Sequence, residues 1–455
     1  MINKIFKNRY FITGIQFFTL FVFVVIIYSA IGVFTDDAAF AKILRNTNLP
    51  NLIIWSYWWP LIIATAIIFG RYWCTVCPME LVTSFFAKIG LKQKPGKVLK
   101  SGWIITLFYA IILVVGIHSL TIHRIPQYMA IYMLILFAVA VIVGLIWEKR
   151  TFCTYVCPIG HLLGLYSMLS SKKLRVKDKS VCESCDTKSC ISKSNHYNFI
   201  GRSCTSELYP ATLKDNKDCI LCGQCFKSCS YDNIAIQKQR IAADLFNNVK
   251  LSWAEISFFF IVSSFVIYEI LSEWEITKSV LMTVPNLVNN GLDIPSSFTE
   301  TVKALILFII FPVIFYFFFA LLKKYLAKEN IKTALIQLVT AILPITASMH
   351  LLKAVLKTTS RIPYWKYAVT DPNGIKYAND IMADKSLLKS DLLSNFINPV
   401  IDYFAIIIIV AGLVLSFYII KKQKFEKSIS KYISVLALLI YFALFLTSLI
   451  YWRFS

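Results

Sequence analysis

An all-α polytopic membrane protein, with a small cysteine-rich α+β insert, is the fold class that three observations predict. Of 455 residues, 57% are hydrophobic and only 16% are charged, against about 25% charged in an average soluble domain. Long apolar runs recur in both halves of the chain and stop between residues 170 and 250. All 12 cysteines fall between Cys74 and Cys229, which is unlike the disulfide scaffold of a short secreted protein.

The amino terminus is short and basic, with Lys4, Lys7 and Arg9, and is followed by an apolar run over 10–34. At 1.5 Å per helical residue this run is long enough to cross a hydrocarbon core of about 30 Å. It is too long for a signal-peptide core, so it reads as a retained span. Further runs at about 52–69, 103–120, 128–147, 253–271, 305–322, 334–352, 400–420 and 433–451 bring the expected number of crossings to nine. Trp55, Tyr57, Trp58 and Trp59 form an aromatic belt at the head of the second.

The first four spans form an internal repeat. Span two ends in Gly70-Arg71-Tyr72-Trp73-Cys74-Thr75-Val76-Cys77-Pro78, and span four in Lys149-Arg150-Thr151-Phe152-Cys153-Thr154-Tyr155-Val156-Cys157-Pro158. A short amphipathic helix is expected after each, over 79–91 and 159–169. Two crossings per unit make the repeat parallel, so both cysteine pairs emerge on one face. The chain thus divides into a four-helix membrane region at 1–169, a soluble insert at 170–250 and a five-helix region at 251–455, with an outer loop at about 357–398.

The formal net charge is +22. Most Lys and Arg fall between spans on one side, including Lys323, Lys324, Lys421 and Lys422, while Asp36, Asp37, Glu273, Glu275, Asp293 and Glu300 fall on the other. A positive-inside bias accounts for the charge without nucleic acid. It places the amino terminus and the insert in the cytoplasm and the carboxyl terminus outside.

Within the insert, Cys219-Ile-Leu-Cys222-Gly-Gln-Cys225-Phe-Lys-Ser-Cys229 has the C-x2-C-x2-C-x3-C spacing of a cubane iron–sulfur site. Soft thiolates so spaced on a tight loop hold iron, and the loop donates N–H groups to their sulfurs. The competing reading is a structural zinc knuckle. Upstream lie Cys182-Glu-Ser-Cys185-Asp-Thr-Lys-Ser-Cys190 and then Cys204. In two-cluster ferredoxins the fourth cysteine of such a run serves the other cluster. One [4Fe–4S] cluster is therefore expected on Cys182, Cys185, Cys190 and Cys229, and a second on Cys204, Cys219, Cys222 and Cys225, in a ferredoxin-like insert. Ser230 follows Cys229 where a proline is usual.

Proline after Cys77 and Cys157 suits a helix start, where the dipole favours a thiolate. Arg71, Lys149 and Arg150 lie near by. Three readings of Cys74, Cys77, Cys153 and Cys157 stand: a further cluster or metal shared by all four, a reversible dithiol, or a transient copper site or plain packing.

In motif order, with the proline and the repeat, residues 1–250 resemble the NapH/NosR/CcoG group of membrane polyferredoxins, above all the NapH-type quinol dehydrogenase subunit. That pattern keeps three residues between the paired cysteines, as Cys153/Cys157 does; Cys74/Cys77 has two. The resemblance implies electron transfer between the quinone pool and a membrane, extracytoplasmic or ferredoxin-like redox partner, in a bacterial cytoplasmic membrane. Members of the group also reduce metal for oxidase assembly. The five carboxyl-terminal spans are extra relative to a NapH-type chain.

Among the five histidines, His350 lies inside an apolar run, where an ionisable residue is a functional candidate; haem ligation, quinol proton acceptance or an interfacial hydrogen bond are its options. His161, four residues after Cys157, is a candidate for tuning that site. His118 and His123 bracket the end of span three and read as interface residues. Glu255, Glu269 and Asp402 lie near span ends, the last two as candidate proton relays. No phosphate loop, dinucleotide fingerprint or Ser/His/Asp arrangement is present. The expected function is quinone-linked iron–sulfur electron transfer, with a copper or other metal reductase for oxidase or reductase maturation, or a redox-coupled transporter subunit, as alternatives.

Overall fold

The computed structural model describes every residue except Met1, Arg9, Thr205, Asn247, Asn248 and Ser455. Of the basic amino-terminal residues, Arg9 therefore lies outside the described set. Among the described residues, eight helices are long and apolar enough to cross a membrane: Phe11–Ala30, Leu49–Phe69, Pro126–Ile146, Trp253–Leu271, Ser296–Ala327, Ile331–Thr370, Leu393–Lys422 and Ser428–Ile450. A shorter apolar helix, Trp103–Ser119, lies where a ninth crossing was expected.

The chain folds into two compact units, interleaved in sequence. The first comprises residues 1–32, 64–105 and 129–244. Its helix Phe11–Ala30 shows why an apolar segment stays in lipid: Phe17, Phe18, Phe21, Val24, Val25 and Tyr28 face outward, while a helix satisfies its interior backbone groups within itself. The opposite face buries Gln16, whose Nε2 donates to Thr75 O at 2.9 Å, and Thr19 Oγ1 donates to Val76 O at 2.8 Å.

The helix Pro78–Ile89 begins with proline directly after Cys77 at its N-cap. Beyond it, Leu91 N and Gln93 N donate to Leu145 O at 2.6 Å and Ile146 O at 2.9 Å, which ties the two repeats together. The second repeat departs from expectation. Its helix is Gly160–Ser167 and its cap is Ile159, so Cys157 precedes the helix by three residues. Leu162, Leu163, Gly164, Leu165, Tyr166 and Ser167 are all buried, so the helix is enclosed rather than amphipathic. Cys157 instead ends a wide turn in which its N–H donates to Phe152 O at 2.8 Å, an i to i+5 bond of the kind that recurs at functional sites.

In segment 170–250 an antiparallel pair forms: β1 (Lys172–Val176) and β2 (Ile234–Lys238), with Leu174 opposite Ile236. Short helices Lys179–Glu183 and Gln224–Ser228 complete it. Its core is Leu174, Leu221, Phe226 and Ile234, closed by Phe6 and Ile12 from the amino terminus. Gly223 has φ +71°, and a Cβ there would meet Phe6 Cδ1 at 2.5 Å. Only glycine combines that backbone with that approach.

The second unit comprises residues 33–63, 106–128 and 245–455. Its axis is the helix Ile331–Thr359, which packs against Trp253–Leu271, Phe311–Leu322, Asn398–Lys422 and Ser428–Phe454. Buried polar contacts fix it, as is usual where lipid removes the hydrophobic drive between helices. Thr346 Oγ1 and Tyr441 Oη are 2.9 Å apart, and Tyr441 Oη donates to Ser263 O at 3.2 Å. Gly412 lets a neighbour approach so closely that a Cβ would lie 3.1 Å from Ile345 Cα.

The central helix runs past the expected end at 352 to Thr359. Nothing breaks it before Pro363, and Lys353 and Lys357 are accepted by a polar cavity. Hydropathy also passed over two amphipathic helices, Ala38–Thr47 and Glu275–Gly291. The first is capped by Asp37, whose carboxylate accepts from Ala39 N at 2.7 Å and Phe40 N at 3.2 Å.

Candidate iron–sulfur centres

The first unit gathers the cysteines into three groups. Cys204, Cys219, Cys222 and Cys225 line one small cavity with Leu174, Leu208 and Leu213. Cys182, Cys185, Cys190 and Cys229 line a second with Val176, Tyr209 and Asn233. Cys74, Cys77, Cys153 and Cys157 lie close enough that each acts electrostatically on others of the set. All twelve are free and partly buried. Among the described residues no three His, Cys, Asp or Glu side chains crowd closely enough to hold one bare ion; the thiols of the first two groups ring cavities instead.

The donor chemistry of each group suits a cationic inorganic core. Burial pushes Cys219 and Cys157 up to about 12 and, with the neighbouring Cys229 and Cys182, Cys190 to about 11. Burial together with adjacent sulfurs also raises Cys77 and Cys225. Four thiolates therefore cannot share such a site alone; bound iron would offset the charge that they bring. N–H groups already point at the sulfurs: Leu208 N at Cys204 and Asn233 N at Cys229, both 3.4 Å, and Asn233 Nδ2 at Cys182, 3.2 Å. Such donors stabilise thiolate ligands and tune their potential.

Three arginines stand among the groups. Arg71 donates to Lys217 O at 3.0 Å. Its burial disfavours the guanidinium charge, but Cys74, Cys157 and Asp218 outweigh that and raise its pKa. Arg150 lies in the field of Cys222, Cys153 and Cys204; burial and the like charge of Arg202 lower its pKa. For Cys222, burial works upward, yet Arg150, the Gln224 N–H and Arg202 together hold the thiol below its ordinary range. Both Arg150 and Arg202 pair with Glu80, which also bonds Gln16 Nε2 and, at 2.9 Å, Ser84 Oγ. Glu80 is 2% exposed.

Sequence reasoning missed Glu80 and Arg202. The available signal was a carboxylate one turn after Cys77-Pro78 on a helix face that is otherwise apolar. His161 Nε2 lies 3.0 Å from Gly102 O. His350, in the second unit, is buried edge-on to Phe265 with ring centroids 6.1 Å apart.

Residues 52–96 and 129–177 match a family model described as a 4Fe–4S binding domain. Those segments hold Cys74, Cys77, Cys153 and Cys157 and none of the other eight cysteines. With the apolar helices, the match fits a multi-pass membrane protein with a 4Fe–4S binding domain. An uncharacterized protein of Methanocaldococcus jannaschii is 26% identical over 174 residues, covering 37% of this chain and 64% of that relative. The chain thus spans less than two thirds of that relative's length. No solved structure matches.

Proposed function

We propose that the chain is a quinone-linked electron-transfer subunit that crosses the membrane nine times and holds three [4Fe–4S] clusters at one cytoplasmic face, two of them in a ferredoxin-like insert. Cys182, Cys185, Cys190 and Cys229 hold one, Cys204, Cys219, Cys222 and Cys225 the next, and Cys74, Cys77, Cys153 and Cys157 the third. When bound, each cluster supplies a one-electron couple. The residues do the rest. Thiolates fix each site, N–H donors and Arg71 moderate its charge, and apolar walls exclude water. The observation that carries the reading is Arg150, buried and paired with Glu80 in the field of Cys222, Cys153 and Cys204. That single side chain is close to both a membrane-edge thiol and thiols of the insert, which supports placing the two groups on one electron route. Quinone in the lipid phase is one terminus and a redox partner protein the other.

The test is iron and acid-labile sulfide per chain in anaerobically purified protein, with EPR of the reduced state. About twelve irons are expected in the wild type and about eight in Cys77→Ala/Cys157→Ala, and a reduced quinol should bleach the broad visible absorbance. Protein purified without iron, or a double variant that retains its full iron complement, overturns the assignment.

A further inference from the structure

The second unit contains a cavity that the electron route does not use. It measures about 560 Å³, within the usual range for small-molecule sites. Span ends and connecting segments enclose it: Ile117 and His118; His123 and Arg124; Tyr268, Glu269 and Glu273; Lys353 and Lys357; Arg361; and Arg45 from the helix Ala38–Thr47. A hydrogen-bonded joint holds that last helix in position, with Thr47 Oγ1 donating to Gly374 O at 2.8 Å and Asn48 Nδ2 to Asn373 O at 3.1 Å.

The charges do not balance. Three carboxylates line the cavity, and each is engaged: Glu269 and Glu273 by Lys353, and Glu300 by Lys303 at 3.0 Å. Counting Lys303, six cationic side chains answer three carboxylates. Among the described residues, Arg45, Arg124, Lys357 and Arg361 have no carboxylate within ion-pair distance. Arg124 Nε donates to His123 Nε2 at 3.2 Å, a neutral acceptor. His118 Nε2, His123 Nδ1 and Arg361 Nε are buried with no hydrogen-bond partner among the described residues. Burial, then repulsion from Arg361 and Arg124, lowers the Arg45 pKa to about 10.

Uncompensated cations and idle donors around one void are costly unless an anion answers both. We infer that this cavity binds a phosphate-bearing anion, held by the guanidinium forks of Arg45, Arg124 and Arg361, the Lys357 ammonium and the ring N–H groups of His118 and His123. A neutral quinone leaves the excess charge standing. A tetrahedral or bridged phosphate offers oxygens to several forks at once. The phosphate is either free in solution or the headgroup of an anionic lipid, since the lining residues lie at span ends.

The experiment uses the full chain in nanodiscs. In pure phosphatidylcholine, inorganic phosphate and pyrophosphate are titrated by calorimetry up to about 10 mM. In a phosphatidylcholine–phosphatidylglycerol mixture, retained lipid is identified by native mass spectrometry. Saturable binding in the first arm assigns a soluble phosphate, and selective retention of phosphatidylglycerol assigns a headgroup. Arg124→Gln/Lys357→Gln should weaken whichever binds by roughly tenfold or more. In phosphatidylcholine without phosphate the same variant should melt no lower than wild type, because repulsion has been removed. Arg45→Gln, on a separate helix, should show the same loss if the double variant fails to fold. Absence of wild-type binding in both arms, or binding undiminished in these variants, overturns the inference.

Discussion

Arg150 and Glu80 form an ion pair in which the side chains are only 1% and 2% exposed, although one residue closes the second repeat and the other opens the helix of the first. Arg202 joins the same carboxylate from segment 170–250. One acid thus pairs with two guanidiniums that lie in the field of Cys222.

Replacing Glu80 with Gln leaves two buried cations without their counter-ion. Breaking a buried pair in this way costs about 3–5 kcal/mol. The variant should melt well below wild type. Where folded protein is recovered, the midpoint potential of the centre at Cys204, Cys219, Cys222 and Cys225 should rise, because a nearby negative charge has gone and the reduced form is favoured. Thermal unfolding and an EPR-monitored redox titration read both effects.

The two cysteine sets of segment 170–250 cross in sequence, which gives a sharp ligand test. Cys229→Ala should remove the centre shared with Cys182, Cys185 and Cys190 and spare the one beside it. Cys204→Ala should do the reverse. Each variant is expected to lose about four irons and a different component of the reduced EPR spectrum. Loss of the same component by both contradicts the pairing.

Asp244 supplies a pH prediction. Its side chain is 4% exposed, 3.7 Å from Arg175, and burial raises its pKa from 3.8 to about 6. A raised carboxyl binds more protons folded than unfolded between these values, so its contribution to stability is greatest below the unfolded pKa and is lost as pH rises through 6. Asp244→Asn should therefore gain on the order of 1–3 kcal/mol relative to wild type at pH 7.5 and little at pH 4. Melting temperatures of both proteins across that range check the sign.

Gly223→Ala should destabilise the loop that carries Cys222 and Cys225, by about 1–3 kcal/mol. Two causes separate cleanly. Phe6→Ala in the same chain relieves the contact with the ring but not the positive φ, so the double variant should recover only part of the loss, measured as melting temperature and iron retained after dialysis.

The apolar helices were legible because length and hydropathy are additive along a chain and need no partner. Cysteine spacing was legible for a similar reason, since C-x2-C-x2-C-x3-C is a local geometry. What sequence concealed is set by partners distant in the chain. Glu80 and Arg202 are 122 residues apart, and neither signals the other. The cavity around Arg124 and Lys357 escaped notice because its cations come from segments far apart in the chain, each unremarkable at an interface. The Gly160–Ser167 helix reads as amphipathic until the structure shows that its polar residues are enclosed too.

One consequence concerns how the chain is made. In the most apolar 18-residue stretch of Ile331–Thr370, 83% of residues are buried and the mean hydropathy is 1.8, whereas in that of Ser296–Ala327, just before it, the values are 39% and 3.0. A helix carrying Gln337, Thr340, Thr346 and His350 has weak reason to partition into lipid alone. Its sheath includes Asn398–Lys422 and Ser428–Phe454, which the ribosome delivers afterwards. Biogenesis must therefore shelter a half-committed helix until later-born neighbours arrive, and a chain stopped near residue 390 should be a substrate for membrane quality control rather than a stable intermediate.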